Sequence, residues 1–262
     1  MDTMELIRTR KSVRTFAGRA VTDADREKLT QYLTTITNPY DIPVEFVLLD
    51  AKVHGLSSPV IQGEQLYITG KVPKGAHCAE AFGFSFEQLV LYAWSLGIGT
   101  TWIAGTMKRE VFEREAGVLE SELMPCVSPL GYPAQKRSIK ELGMRTAIKA
   151  DKRIKDEGLF FDGDLSAPLS TEDPLIRDAL EAVRLAPSAV NKQPWRIVRR
   201  GNAYHFYEKH SISGGAWDVQ KVDMGIALCH FMAIAGGRLS VADPGISAPQ
   251  DTEYIATVTV EG

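Results

Sequence analysis

Cysteine is scarce in this chain of 262 residues: Cys78, Cys126 and Cys229 stand far apart, odd in number and without a Cys-x-x-Cys pair. Neither a disulfide framework nor a zinc site is indicated, and the three read as small buried apolar residues. The histidines, His54, His77, His205, His210 and His230, show no metal-ligand spacing, so no metal centre is expected; His230, inside an apolar helix, reads as a satisfied core histidine. Net charge is low as well, and −3 gives no general pull toward nucleic acid or an anionic membrane. A charged ligand must therefore be drawn by a local field. No apolar run approaches a bilayer span, and Met1-Asp2-Thr3-Met4-Glu5 has neither a basic start nor an apolar signal core, which makes cytoplasmic residence the expectation. Gly97-Ile98-Gly99 lacks the third glycine of a dinucleotide fingerprint and follows a helix, so a Rossmann reading is rejected.

The chain is long enough to bury a substantial core as one large domain or two small ones. Spacing predicts helices over 2–9, from a Thr22-x-x-Asp25 capping box to Ile36, from Ala79 to Leu96, from Glu110 to Ala116 and from Glu172 to Ala186. The helix at 79–96 is apolar enough to be central. In the helix at 172–186, Leu175, Ile176, Ala179, Leu180 and Val183 form one apolar stripe. Strands are predicted at Val44–Leu49, Leu66–Thr69, Val127–Leu130 and Trp195–Val198. Lys149 to Glu157 reads as a charge-dense connector, and Phe160-Phe161 as an anchor docked elsewhere on the fold.

Two stretches carry chemistry. Pro187 ends the last of those helices, because proline lacks the N–H and pushes the preceding residue out of helical geometry. Between it and Pro194 lie Ser188, Asn191 and Gln193, neutral donors and acceptors suited to a flat heteroaromatic ligand. The same side chains can equally satisfy local backbone groups. Near the start, Arg10, Lys11, Ser12 and Arg14 suit a phosphate, with guanidinium offering bidentate bonds, although a short basic run is also a common solvated face.

Taken together, Arg10-Lys11-Ser12-Val13-Arg14-Thr15-Phe16 and Ala186-Pro187-Ser188-Ala189-Val190-Asn191-Lys192-Gln193-Pro194-Trp195 resemble the two signature motifs of the nitroreductase superfamily, the FMN-dependent oxidoreductases. The resemblance implies an α+β fold with mixed and antiparallel sheets flanked by helices. It implies FMN held by Arg10, Lys11, Ser12 and Arg14 at the phosphate, with Lys136 and Arg137 after the Gly131-Tyr132-Pro133 turn assisting. Trp102, Ile103, Ala104 and Gly105 would run beside the flavin ring, with the last two offering backbone N–H groups; a helix cap leading into an edge strand is the other reading of that stretch. Pro187, Ser188, Ala189, Asn191 and Gln193 would bound the ring on the other side.

The chain also resembles itself. Leu33 corresponds to Val183, Pro43 to Pro194, and Gly83-Phe84-Ser85-Phe86 to Gly225-Ile226-Ala227-Leu228, in order and apolar pattern. A first half at 1–150, a connector at 151–166 and a second half at 167–262 follow. The basic segment is present in the first half and the Pro-Ser loop in the second, so their missing parts are complementary. In the superfamily each FMN lies at a homodimer interface, which implies that this chain is a pseudo-dimer in one polypeptide with one complete flavin site, a branch of single-chain nitroreductases. The implied activity passes hydride from NAD(P)H to an electron-poor small molecule, a nitroaromatic or quinone, by a ping-pong cycle without a dedicated catalytic side chain. A non-catalytic carrier, sensor or scaffold, with or without flavin, is the alternative; no lid sequence points to a more specialised reduction. No nucleic-acid or membrane partner is expected.

Overall fold

Two sheets and a pair of buried helices form the frame, in a computed structural model that describes residues 2–212 and 217–261. Helix α1, Thr3–Thr9, leads into the basic segment. Helix α2, Asp23–Leu33, starts on Thr22, whose hydroxyl accepts from the Asp25 backbone N–H at 3.2 Å. Only that half of the expected capping box forms. The Asp25 carboxylate instead accepts from the Tyr132 hydroxyl at 2.6 Å, and the helix stops short of Ile36.

Strands β1 (Glu45–Asp50), β2 (Leu66–Pro73), β3 (Glu122–Leu123) and β4 (Val127–Leu130) make the first sheet, with β2 pairing antiparallel to the other three. That central position explains why β2 runs past the predicted Thr69: its residues stay buried as far as Val72. Helices α3 (Cys78–Ser95), α4 (Arg109–Glu115) and α5 (Ile139–Ala147) belong to this half. The sequence reading has no α5. Its cap is regular, with the Ser138 hydroxyl accepting from the Glu141 N–H at 3.2 Å.

The second sheet contains β5 (Phe160–Asp162), β6 (Trp195–Arg200), β7 (Ala203–Lys209), β8 (Arg238–Ser240) and β9 (Thr252–Thr259), in the order β5-β6-β7-β9-β8. β5 runs parallel to β6, and the remaining pairs are antiparallel, so the architecture is mixed α+β. The docked Phe160 is thus an edge-strand residue opposite Ile197. Helix α6, Pro174–Leu185, buries Ile176, Ala179, Leu180 and Val183 and ends before Pro187, whereas Leu175 is 47% exposed and lies off the stripe. Helix α7 spans Val219–Ala235. Cys126 and Cys229 are buried; Cys78, at the start of α3, is partly exposed, because the helix begins at the surface.

The halves meet where α3 crosses α7. A Cβ on Gly83 would stand 2.1 Å from the Val222 carbonyl oxygen, and one on Gly225 would stand 2.0 Å from the Glu80 carbonyl oxygen. Such an approach admits only glycine. The sequence separation relating Gly83 to Gly225 also relates Glu80 to Val222, so the contact is reciprocal, as across a local two-fold. Among the described residues no helix is long and apolar enough to cross a membrane.

Candidate functional site

A cavity of about 370 Å³ lies between pieces of both halves, within the size range of small-molecule sites. Arg10, Lys11, Ser12, Arg14 and the stretch Trp102–Gly105 line it from the first half. Pro187, Ser188, Ala189 and Asn191 line it from the second, together with Val222, Asp223 and Ile226 of α7. The structure therefore brings the two sequence motifs onto one space.

Local bonding explains how the basic segment arrives there. The Arg10 N–H closes α1 on the Leu6 carbonyl at 2.8 Å, and Val13 then donates to the Thr100 carbonyl at 2.8 Å, aligning the segment with the chain that leaves α3. Glu141 of α5 holds it from the other side, accepting from the Thr15 hydroxyl at 2.8 Å and the Arg14 N–H at 3.3 Å. In the outgoing chain, Ile103 exchanges backbone bonds with Val127 at 2.9 Å, whereas among the described residues the Ala104 and Gly105 N–H groups have no protein acceptor.

Arg10 is the electrostatic centre of the wall. Its side chain is 5% exposed, its Nε stands 3.8 Å from Glu87 Oε1, and neither Nε nor Nη1 has a hydrogen-bond partner. Burial pushes the guanidinium below its ordinary range and Glu87 pulls it back. Orphaned buried donors of this kind point to a ligand. Glu87 itself is fully buried; its Oε2 accepts from the Trp102 indole N–H at 3.2 Å, and its Oε1 faces His230 Nε2 at 2.9 Å. His230 Nδ1 lies 2.7 Å from the Ala182 carbonyl and so carries a hydrogen. One further proton must lie between Nε2 and the carboxylate, since two acceptors do not bond. His230 is thus satisfied at both nitrogens, as the sequence suggests.

The Pro-Ser loop is strained. Val190, Asn191 and Gln193 have φ of 43°, 58° and 50°, left-handed values that non-glycine residues avoid, Val190 most of all as a β-branched residue. Asp223 holds the loop by accepting the Ala189 N–H at 3.0 Å with each carboxylate oxygen, and burial pushes its carboxyl well above the usual range. Asn191 lines the cavity, but its amide donates to the Lys149 and Lys152 carbonyls at 2.7 and 3.0 Å. Gln193 does not line it: the side chain is buried behind, accepting from the Ile154 N–H at 2.8 Å and donating to the Asn191 carbonyl at 3.1 Å. Lys136 and Arg137 line a neighbouring hollow of about 410 Å³, where Lys11 and Ser12 also lie, and Arg137 pairs with Glu141 at 3.2 Å.

Three features escape the sequence reading. Arg153, from the connector, lines the cavity with its Nε buried and unpartnered; burial and repulsion from Arg10 push it below its ordinary range. Glu87 and Asp223 are the others. A signal for both exists, because Asp223 is the one acid of α7 and Glu87 sits in the apolar middle of α3, placements that are costly without a purpose.

Two sheets meeting at crossed buried helices, with a cavity between them walled by arginines that keep unbonded nitrogens, are the architecture of the nitroreductase fold. The chain belongs to the family described as "Putative TM nitroreductase", which it matches over residues 2–235. It is similar to a solved structure described as a "putative nitroreductase" from Thermotoga maritima, at 22% identity, over 99% of this chain and 94% of that one, with a TM-score of 0.66. A Bacteroides thetaiotaomicron protein described as "Putative NADH dehydrogenase/NAD(P)H nitroreductase" matches at 22% identity over 52% of this chain and 89% of its own, with a TM-score of 0.44. An "FMN-dependent Nitroreductase" from Clostridium difficile matches at 16% identity over 51% and 88%, also at 0.44. No curated protein matches the chain.

Proposed function

We propose that the cavity binds FMN and that the chain is an oxidoreductase taking hydride from NADH or NADPH and reducing an electron-poor acceptor, a nitroaromatic or quinone. The observation that carries this reading is the buried Arg10 side chain on a wall shared by both motifs, whose Nε and Nη1 have no hydrogen-bond partner among the described residues and which fits the phosphate of a flavin nucleotide. Family membership supports it. Bound flavin supplies the redox chemistry in alternating oxidative and reductive turns, so the protein needs no nucleophile.

The chain's own residues bind and orient. Arg10, Lys11, Ser12 and Arg14 would hold the phosphate and ribityl end, and Arg153, half-buried with its Nε enclosed, would add a further cation. Lys136 and Arg137, one hollow away, strengthen the positive potential around Lys11 and Ser12. The Ala104 and Gly105 N–H groups, without an acceptor among the described residues, would be available to the redox edge of the ring, beside Trp102 and Ile103. Ser188 accepts from the Gln193 N–H at 2.8 Å and keeps its own O–H to donate. Pro187 and Ala189 shape the opposite wall, while Asn191 and Gln193 fix the loop to the connector. We further infer that the halves derive from one duplicated unit, so that a monomeric chain acts as a pseudo-dimer with a single flavin site.

A non-catalytic flavin binder is the second reading, favoured by one observation: the Asn191 amide is already bonded to the connector. Visible absorption of the purified protein separates the two. A flavin spectrum that bleaches under anaerobic NADPH or NADH supports the oxidoreductase, and one that persists supports the binder. Absence of binding at excess FMN refutes both, and a titration ending at two FMN per chain refutes the single site.

A further inference from the structure

We propose that Glu208, His210 and Asp218, none of which lines the cavity although Trp217 and Val219 beside Asp218 do, form a site for a divalent transition-metal ion of the zinc class where the end of β7 meets the start of α7. Their ligand atoms all lie within 4.8 Å of one another. His210 Nδ1 stands 3.1 Å from Glu208 Oε1 and 3.6 Å from Asp218 Oδ2. Ligands at tetrahedral angles around zinc, at its usual bond lengths, lie roughly 3.3 Å apart. The two separations from His210 are therefore already close to those that a shared ion requires, and the Glu208 and Asp218 ligand atoms lie within 4.8 Å of each other.

Asp218 and His210 are held by their remaining bonds. Asp218 Oδ1 accepts from the Gln220 N–H at 2.9 Å and caps α7, which leaves Oδ2 toward the site. His210 donates its backbone N–H to the Asp251 carbonyl at 2.8 Å. Its Nε2 lies 3.3 Å from Glu253 Oε2, and Lys221 Nζ holds the other Glu253 oxygen at 3.0 Å. A metal-bound imidazole usually directs its second nitrogen to a carboxylate in this way, fixing the tautomer that leaves Nδ1 free to coordinate.

Glu208 provides the independent sign. It is fully buried and, among the described residues, neither carboxylate oxygen accepts a hydrogen bond, a condition that is costly unless a cation or a proton neutralises the group. Although His210 Nδ1 is close, it is not aligned on Glu208 as a donor, as expected when two ligands face a common centre rather than each other. A mixed nitrogen and oxygen set without sulfur suits zinc and its neighbours better than magnesium or calcium, which prefer oxygen alone. Sequence spacing does not show the site because its ligands come from a strand end and a helix cap. Bound metal would pin α7, which carries Val222 and Asp223 to the cavity, against the second sheet.

The test uses the full chain, free of any affinity tag and stripped by chelator, titrated with Co2+ and then Zn2+. The expected result is one Co2+ per chain with the strong visible bands of a four-coordinate ion, displacement by Zn2+, and a higher melting temperature with Zn2+. His210→Ala and Glu208→Gln should abolish the bands. Glu253→Gln, which leaves all three ligands in place, should weaken binding roughly 10- to 100-fold. The proposal is overturned if the wild type takes up no Co2+, if His210→Ala binds as the wild type does, or if the His210 ring nitrogen resonances are unmoved by NMR with Zn2+ in excess. None of these readouts depends on flavin.

Discussion

Replacing Arg10 with methionine should move the stability of the flavin-free protein and its affinity for FMN in opposite directions. Methionine keeps much of the buried stem and removes the charge. Without flavin, Arg10 leaves Nε and Nη1 buried and unpartnered, and each such donor costs about 1–3 kcal/mol. Against that gain stands the lost attraction to Glu87 at 3.8 Å, which is partial because Glu87 keeps Trp102 and His230. The net effect is a stabilisation of about 1 kcal/mol or more, or a melting temperature higher by roughly 2–4 °C for a chain of this size. With flavin, the same substitution removes a charge-assisted bond to phosphate, about 1.5–3 kcal/mol, or a dissociation constant roughly 10- to 150-fold larger. Thermal melts of the stripped protein and FMN fluorescence titrations measure the two effects separately. A variant that melts lower and binds FMN unchanged would falsify the reasoning, because Arg10 would then be the structural counter-ion of Glu87.

Gly225→Ala places a Cβ 2.0 Å from the Glu80 carbonyl and should destabilise by about 1–3 kcal/mol or more through overpacking, whereas Gly75→Ala, with nothing within 4 Å, should be near neutral; equal urea midpoints would remove the helix crossing as a constraint. Asp223→Asn tests the buried carboxyl. Its folded-state pKa is raised, so wild-type stability attributable to this group is complete below the unfolded carboxylate pKa and declines as pH rises from there toward the folded value. The asparagine variant should therefore gain on the wild type between acid and neutral pH in denaturant melts, and a pH-independent difference would refute this assignment.

The parts of the fold visible in the sequence are those governed by short-range rules. Pro187 stops α6 where expected, because no neighbour can supply the missing N–H, and α3 declares its burial by composition. Strands β7 and β9 are unread. β7 is buried from Tyr204 to Glu208, yet His205 and Glu208 interrupt its apolar run, and the Thr257 hydroxyl that bonds His205 at 2.8 Å lies on a distant strand. The motifs likewise announce which residues gather at the cavity but not how their side chains are used. Asn191 and Gln193 are claimed by a connector that reads as a solvated linker until Lys149, Lys152 and Ile154 fold back onto the loop. Ser138-x-x-Glu141 is a legible cap for α5, but the role of Glu141 depends on Thr15 and Arg14, far away in the chain.

Comparison of the two halves separates ligand binding from backbone shape common to both. By the correspondence of Leu33 with Val183, Asp41 stands where Asn191 does, and both are left-handed, at φ 53° and 58°. Strain at that position therefore does not require a flavin. The first-half loop is closed on itself: the Asn38 amide donates to the Ile42 carbonyl at 2.7 Å and the Ser85 hydroxyl at 3.1 Å, and Tyr40 stacks on His77 with ring centres 5.3 Å apart. In the second half, Asp162 and Asp164 occupy the stretch that would have to supply the cations, and Asp162 pairs with Arg199 at 3.1 Å. What belongs to the 187–193 loop alone is the further strain at Val190, which lines the cavity with Arg10 and Arg153, and at Gln193 behind it. Strain that a shared fold does not impose is maintained by the surrounding contacts, here Asp223 on Ala189 and the connector on Gln193, and it is strain of this kind that points to the ligand.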